Sequence, residues 1–122
     1  MALDARKGGI RRLKILVTGG LGFVGSHLVD ILLQDNTNQI TVIDNLCSES
    51  SSKKYMREGA DYIIDDIRNL SNIKYNHLDF DVIYHLAALA RIQPSFKDPM
   101  TYMSIDIMGT AEVCDLARRC EA

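Results

Sequence analysis

The chain has 122 residues and a formal net charge of −2, with 14 Lys and Arg against 16 Asp and Glu; 47% of residues are apolar and 25% charged. These are the proportions of a globular domain, and the length allows one domain that buries roughly 65% of its unfolded surface without disulfides or metals. No apolar run approaches the roughly 20 residues that span a bilayer, and the slightly acidic balance gives no footprint for nucleic acid, so neither partner is expected.

The chain opens on a basic stretch, residues 1–12, in which Arg6, Lys7, Arg11 and Arg12 flank Gly8 and Gly9. It has no apolar segment and reads as a flexible leader rather than a secretory signal. The domain is expected over residues 13–122. Leu13 to Thr18 is a short apolar run ending at glycines, the pattern of a buried parallel strand. Phe23 to Gln34 has helical periodicity, with Val24, Leu28 and Ile31 in one stripe widened by Leu32. Gln39 to Asp44 is β-branched and predicts a second strand. The polar patch Ser48 to Lys54 predicts a loop. Asp61 to Asp65 predicts a third strand and Asp81 to Leu86 a fourth. From about Asp98 the pattern is helical to the end. Met103, Ile107, Ala111, Cys114 and Ala117 share one face, and Met100, Met103 and Met108 read as core filler. This alternation predicts an α/β fold, a Rossmann-type parallel sheet of about four strands in order 3-2-1-4. The ligand crevice lies between strands 1 and 4, where the winding reverses.

Cys47, Cys114 and Cys120 form no CxxC pair and no zinc spacing; a scattered, odd count fits reduced thiols in a cytoplasmic setting. His27, His77 and His85 likewise show no ligand spacing, so no metal is expected. The informative segment is Thr18-Gly19-Gly20-Leu21-Gly22-Phe23-Val24-Gly25, between the first strand and the first helix. It can be read as Gly20-x-Gly22-x-x-Gly25 or as Gly19-x-x-Gly22-x-x-Gly25. Either phase makes a tight turn that lets the backbone at Gly22 approach a pyrophosphate, with Gly25 allowing close helix packing. The N–H groups of Phe23 and Val24 at the helix start then face the anion. Asp44 ends the next strand 19 residues after Gly25, close to the spacing of roughly 20 at which an acid binds the adenosine ribose. A carboxylate there repels a 2′-phosphate, which favours NAD over NADP. Lys53, Lys54 and Arg57 follow at a distance that leaves the alternative open. A P-loop is excluded because no Gly-Lys-Ser/Thr follows the turn. A methyltransferase that binds S-adenosylmethionine remains a competitor, though the Gly22-x-x-Gly25 spacing favours a dinucleotide.

Five ordered motifs carry a resemblance to the extended short-chain dehydrogenase/reductases, the NAD-dependent nucleotide-sugar epimerases and dehydratases among them. They are Thr18 to Leu28; Val42-Ile43-Asp44-Asn45-Leu46; Asp65-Asp66-Ile67-Arg68; His85-Leu86-Ala87-Ala88; and Pro94 to Pro99 with Gly109-Thr110. The resemblance covers about Lys14 to Arg119. It implies that Asp44 and Asn45 bind the adenosine ribose region and that Asp66 and Ile67 hold adenine. Leu86, Ala87 and Ala88 would line the pyrophosphate and nicotinamide side. One position departs from the family pattern. Asp106 stands where an Asn is usual, and an ionised Asp accepts hydrogen bonds but donates none.

The family reaction needs a Tyr four residues before a Lys, with a Ser or Thr, as general acid/base. No such pair occurs in these residues: Tyr55, Tyr62, Tyr75, Tyr84 and Tyr102 are followed four positions on by Gly59, Asp66, Asp79, Ala88 and Asp106. The expectation is a truncated Rossmann domain that carries the NAD half of such an enzyme and lacks the catalytic and sugar halves. It would be inactive without a complementing chain, which alone would bring in a nucleotide sugar. The alternative is a stand-alone, non-catalytic dinucleotide-binding module that senses or sequesters cofactor. The open edge of strand 4 is a template for a second copy or a partner chain.

Overall fold

Residues 12–122 are described by a computed structural model of the chain; all but the last residue of the basic leader lies outside the described residues. The four apolar runs form β1 (Lys14–Thr18), β2 (Gln39–Asp44), β3 (Ala60–Ile64) and β4 (Val82–His85). They make one parallel sheet in the order β3-β2-β1-β4. In the register, Thr18 at the end of β1 lies beside Ile43 on one side and His85 on the other. The carboxyl ends of β2, β1 and β4 therefore finish together, which is what places a site there.

Ile15, Leu16 and Val17 of β1 are all apolar because both faces of the strand are covered there. Ile15 and Val17 pack with Val29 of α1 (Phe23–Leu32) and with Ile40 and Val42; Leu16 points the other way, toward Ile43, Ile67, Leu70, Val113 and Leu116. Side chains alternate along a strand, so one short run feeds two cores. Short 3₁₀ turns at Lys53–Tyr55, Ile67–Asn69 and Ile73–Tyr75 connect the later strands.

After β4 the chain forms α2 (Ile92–Lys97), α3 (Pro99–Met103), a π turn (Ser104–Gly109) and α4 (Thr110–Cys120). Helix thus begins before Asp98, earlier than the sequence pattern predicts. Asp98 breaks it: it precedes Pro99, a position that disfavours helical backbone, and has φ −137° and ψ 65°. Its carboxylate then accepts from Thr101 N at 3.2 Å, restarting the helix with Pro99 in the first turn.

The helices are turned differently from the apolar stripes expected of them. In α1 the buried residues are Gly25, Ser26 and Val29; Leu28 and Leu32 of the expected stripe are partly buried against the same core, while Val24 and Ile31 are exposed. In the last helix the buried residues are Ile105, Gly109, Val113 and Leu116. The face through Met103, Ile107, Ala111 and Cys114 points outward. Met100, Met103 and Met108 are each more than half exposed, so they do not fill the core. The cause is the same in both helices. A Cβ on Gly25 would sit 2.2 Å from the Gly19 carbonyl oxygen, and one on Gly109 would sit 2.5 Å from Ile67 Cδ1. Each glycine marks the side of closest approach, and a count of large apolar side chains passes over it.

Candidate functional site

The turn after β1 is built around Gly19, whose φ of +70° is the left-handed conformation that glycine adopts without strain. A Cβ there would also lie 2.7 Å from Ala87 N, so the turn sits directly against the backbone leaving β4. Gly19 is thus the residue that makes the turn, and the Gly19, Gly22, Gly25 phase describes its geometry. Gly22 caps α1 with extended backbone and no side-chain hydrogen bond, and the first turn of α1 contains no acidic residue. The N–H groups of that turn have no intrahelical acceptors. A Cβ at Gly22 would meet nothing closer than Gly19 O at 3.4 Å and Ser51 Oγ at 3.9 Å. The space in front of Gly22 belongs to a cavity rather than to packing.

That cavity, of about 340 Å³, lies across the carboxyl ends of β1, β2 and β4, at the low end of the roughly 300–1,000 Å³ usual for ligand pockets. Gly19, Gly22, Phe23, Val24, Gly25, Asp44, Asn45, Ile67, Leu86, Ala87 and Ala88 all line it. Of the residues named from sequence, Asp66 alone is absent from the wall. Its neighbours Asp65 and Ile67 stand there instead, and its carboxylate accepts from Arg68 and from Asn45 Nδ2 at 3.2 Å. The Arg68 guanidinium holds the Asp66 carboxyl below its ordinary pKa. Asp65 is lowered further, first by Lys74 and then by Tyr75 and Asn69.

Asp44 is buried, yet it lines the cavity. One oxygen accepts from Leu21 N at 3.0 Å, the other from Leu46 N at 2.8 Å. It therefore secures the glycine turn, and each oxygen keeps a lone pair for a ligand hydroxyl. Lys53, Lys54 and Arg57 are absent from the wall; Arg57 pairs with Asp30 of α1 at 2.7 and 3.2 Å.

The sequence reading misses Cys47, Ser48, Ser50, Ser51, Ala90, Arg91 and Ile105, which also line the cavity. The serines signalled only a polar loop. What brings them in is Ser52 N donating to Leu21 O at 3.1 Å, which ties that loop to the glycine turn.

Behind the cavity a hydrogen-bond chain joins β1, β4, α4 and the π turn. Thr18 Oγ1 accepts from Leu86 N and Ala87 N at 3.1 and 3.2 Å and donates to His85 Nδ1 at 2.7 Å. His85 Nε2 then donates to Thr110 Oγ1 at 3.0 Å, and Thr110 donates to Asp106 O at 2.5 Å. This order uses the neutral imidazole, and burial does lower the His85 pKa, against an opposing pull from Asp106. The Asp106 carboxylate accepts from Leu89 N at 2.8 Å. An acceptor is all that contact needs, so Asp serves here. Among the described residues no group of three or more His, Cys, Asp or Glu converges on a metal position, and no helix is long and apolar enough to cross a membrane.

The model of the NAD-dependent epimerase/dehydratase family matches residues 15–122. A putative UDP-glucose 4-epimerase of Methanocaldococcus jannaschii is 35% identical over 106 residues, 86% of this chain and 34% of that one. Among solved structures, the UDP-N-acetylglucosamine 4-epimerase of Methanobrevibacter ruminantium, in complex with UDP-N-acetylmuramic acid, superposes with TM-score 0.78 at 31% identity. The match covers 92% of this chain and 36% of that one. The UDP-glucose 4-epimerase of Thermus thermophilus, in complex with NAD, superposes with TM-score 0.73 at 25% identity over 89% of this chain and 35% of that one. The chain spans about a third of the length of these relatives.

Proposed function

The chain belongs to the NAD-dependent epimerase/dehydratase family, and from that premise we propose that its 122 residues form the NAD-binding part of a nucleotide-sugar epimerase or dehydratase. One observation carries the reading. An uncapped helix N-terminus, an empty space in front of Gly22 and the Asp44 carboxylate all open onto one cavity. The first suits a pyrophosphate, the second admits it, and the third suits a ribose diol. Asn45 and Ile67 extend the wall toward the adenine end, with Asp66 behind Asn45; Leu86, Ala87 and Ala88 form the opposite wall. The Asp44 carboxylate disfavours a 2′-phosphate, and no cation of the β2 loop lines the cavity to offset it.

NAD bound here supplies a hydride acceptor. The chain's own residues bind and orient it; the Thr18–His85–Thr110 relay fixes the β4 backbone against the glycine turn. A proton acceptor of the Tyr-x-x-x-Lys kind is not among these 122 residues. It comes from a continuation of the chain or from a second polypeptide, as does the sugar-binding half. β4 pairs with β1 alone among the described strands, and its other edge is where such a segment, or a second copy, adds a strand. Taken by themselves the 122 residues act as a dinucleotide-binding module. The test is to mix the chain with NAD and UDP-glucose and follow nicotinamide absorbance together with the sugar nucleotide itself by chromatography, because an epimerisation returns the hydride and leaves no net change in absorbance. Cofactor binding with no change in either is expected, and turnover by the 122 residues alone would refute the division of labour.

A further inference from the structure

The cavity wall carries two carboxylates, Asp44 and Asp65, and a single cationic side chain, Arg91. Asp65 is balanced by Lys74. Asp44 is held by backbone N–H groups alone among the contacts described. A dinucleotide brings two more negative charges, and a helix N-terminus supplies only about half a positive charge. Arg91 is therefore the one formal positive charge on the wall that can meet them.

Arg91 is occupied. Its guanidinium pairs with Glu49 at 2.6 Å, and the two side chains are 64% and 77% exposed. Arg91 leaves β4 six residues after His85, and Glu49 lies in the loop that Ser52 ties to Leu21. The pair thus joins the loops on either side of the glycine turn. A pair this exposed is weak, typically about 0–1 kcal/mol, whereas a guanidinium–phosphate contact is charge-assisted and can be bidentate.

We propose that Arg91 is a diphosphate-binding residue which Glu49 holds in reserve: on binding, Arg91 exchanges the Glu49 carboxylate for the diphosphate of the dinucleotide. This rests on the reading that the cavity takes NAD. Glu49 is then a competitor for Arg91, not a ligand contact, and the two residues act on affinity with opposite sign.

The test is calorimetric titration of NAD, and separately of UDP, into the wild-type chain, Arg91→Gln, Glu49→Gln and the double variant, at low and high salt. Both side chains are exposed, so circular dichroism melting should place all four within a degree or two of one another. The expected result for NAD is a loss of about tenfold in Arg91→Gln, the scale of one charged contact. Glu49→Gln should bind NAD up to about fivefold more tightly, the double variant should behave like Arg91→Gln, and salt should weaken binding more in the wild type than in Arg91→Gln. Equal losses in both single variants would overturn the exchange and make the pair a latch. An effect confined to UDP would overturn the assignment to the dinucleotide. Unchanged NAD affinity in Arg91→Gln would overturn the inference and leave the proposed function standing; no NAD binding by the folded wild type would overturn both.

Discussion

Single side chains at the site each do two things, and this makes them testable. Asp44 faces the cavity and also anchors Leu21 N and Leu46 N. Asp44→Asn replaces one acceptor oxygen by a donor, so one of those N–H groups loses its partner. It should weaken NAD binding about tenfold and narrow the preference over NADP, read by competitive titration of the two cofactors. His85 offers a pH test. Burial lowers its folded pKa below the unfolded value of about 6.5. Its contribution to stability is then full above about pH 6.5 and falls away as pH drops through the folded pKa, where the unfolded chain binds the proton more readily. Thermal unfolding midpoints should decline on acidification below about pH 6.5, and His85→Gln should flatten that part of the profile. A profile over that range identical in both proteins would show that His85 does not titrate as the relay requires.

At the scale of elements, strands were legible and helix orientation was not. The strands are written as short runs rich in apolar and β-branched residues, and all four runs are strands within about a residue or two of the expected ends. The order 3-2-1-4 is the one expected when parallel strands alternate with helices or loops through right-handed crossovers, and it appears in the sheet. Helix rotation depends on where the helix backbone is approached most closely, by the glycine-turn backbone at Gly25 and by the Ile67 side chain at Gly109, and these glycines contribute no side chain to the pattern. The same limit applies to the site. The wall residues that belong to motifs were readable, whereas Ser50, Ser51 and Arg91 reach the cavity only because two loops fold back over the glycine turn. The corrected orientation of the last helix predicts unequal costs. Leu116→Ala empties a fully buried position and should cost about 2–5 kcal/mol. Met103→Gln, on the outward face, should change stability by less than about 0.5 kcal/mol. Denaturant titration of both variants would decide it, and a larger cost at Met103 would restore the methionines to the core.

For the molecule as a whole, membership of the epimerase/dehydratase family stands beside a length about a third of the relatives described above. The matched region carries the glycine turn, the acid after β2 and the β4 wall in one cavity, and no Tyr-x-x-x-Lys pair. The central claim is that this cavity receives a dinucleotide at Gly22. Gly22→Val tests it most directly, because the extended backbone there tolerates a side chain, and its Cβ would enter the cavity without striking the protein. Calorimetric titration of NAD into the wild type and this variant, with circular dichroism melting alongside, is the measurement. The expected result is one NAD per chain for the wild type and a loss of at least about a hundredfold in affinity for a Gly22→Val chain that still folds. Undiminished NAD affinity in the folded variant, or none in the folded wild type, would contradict it.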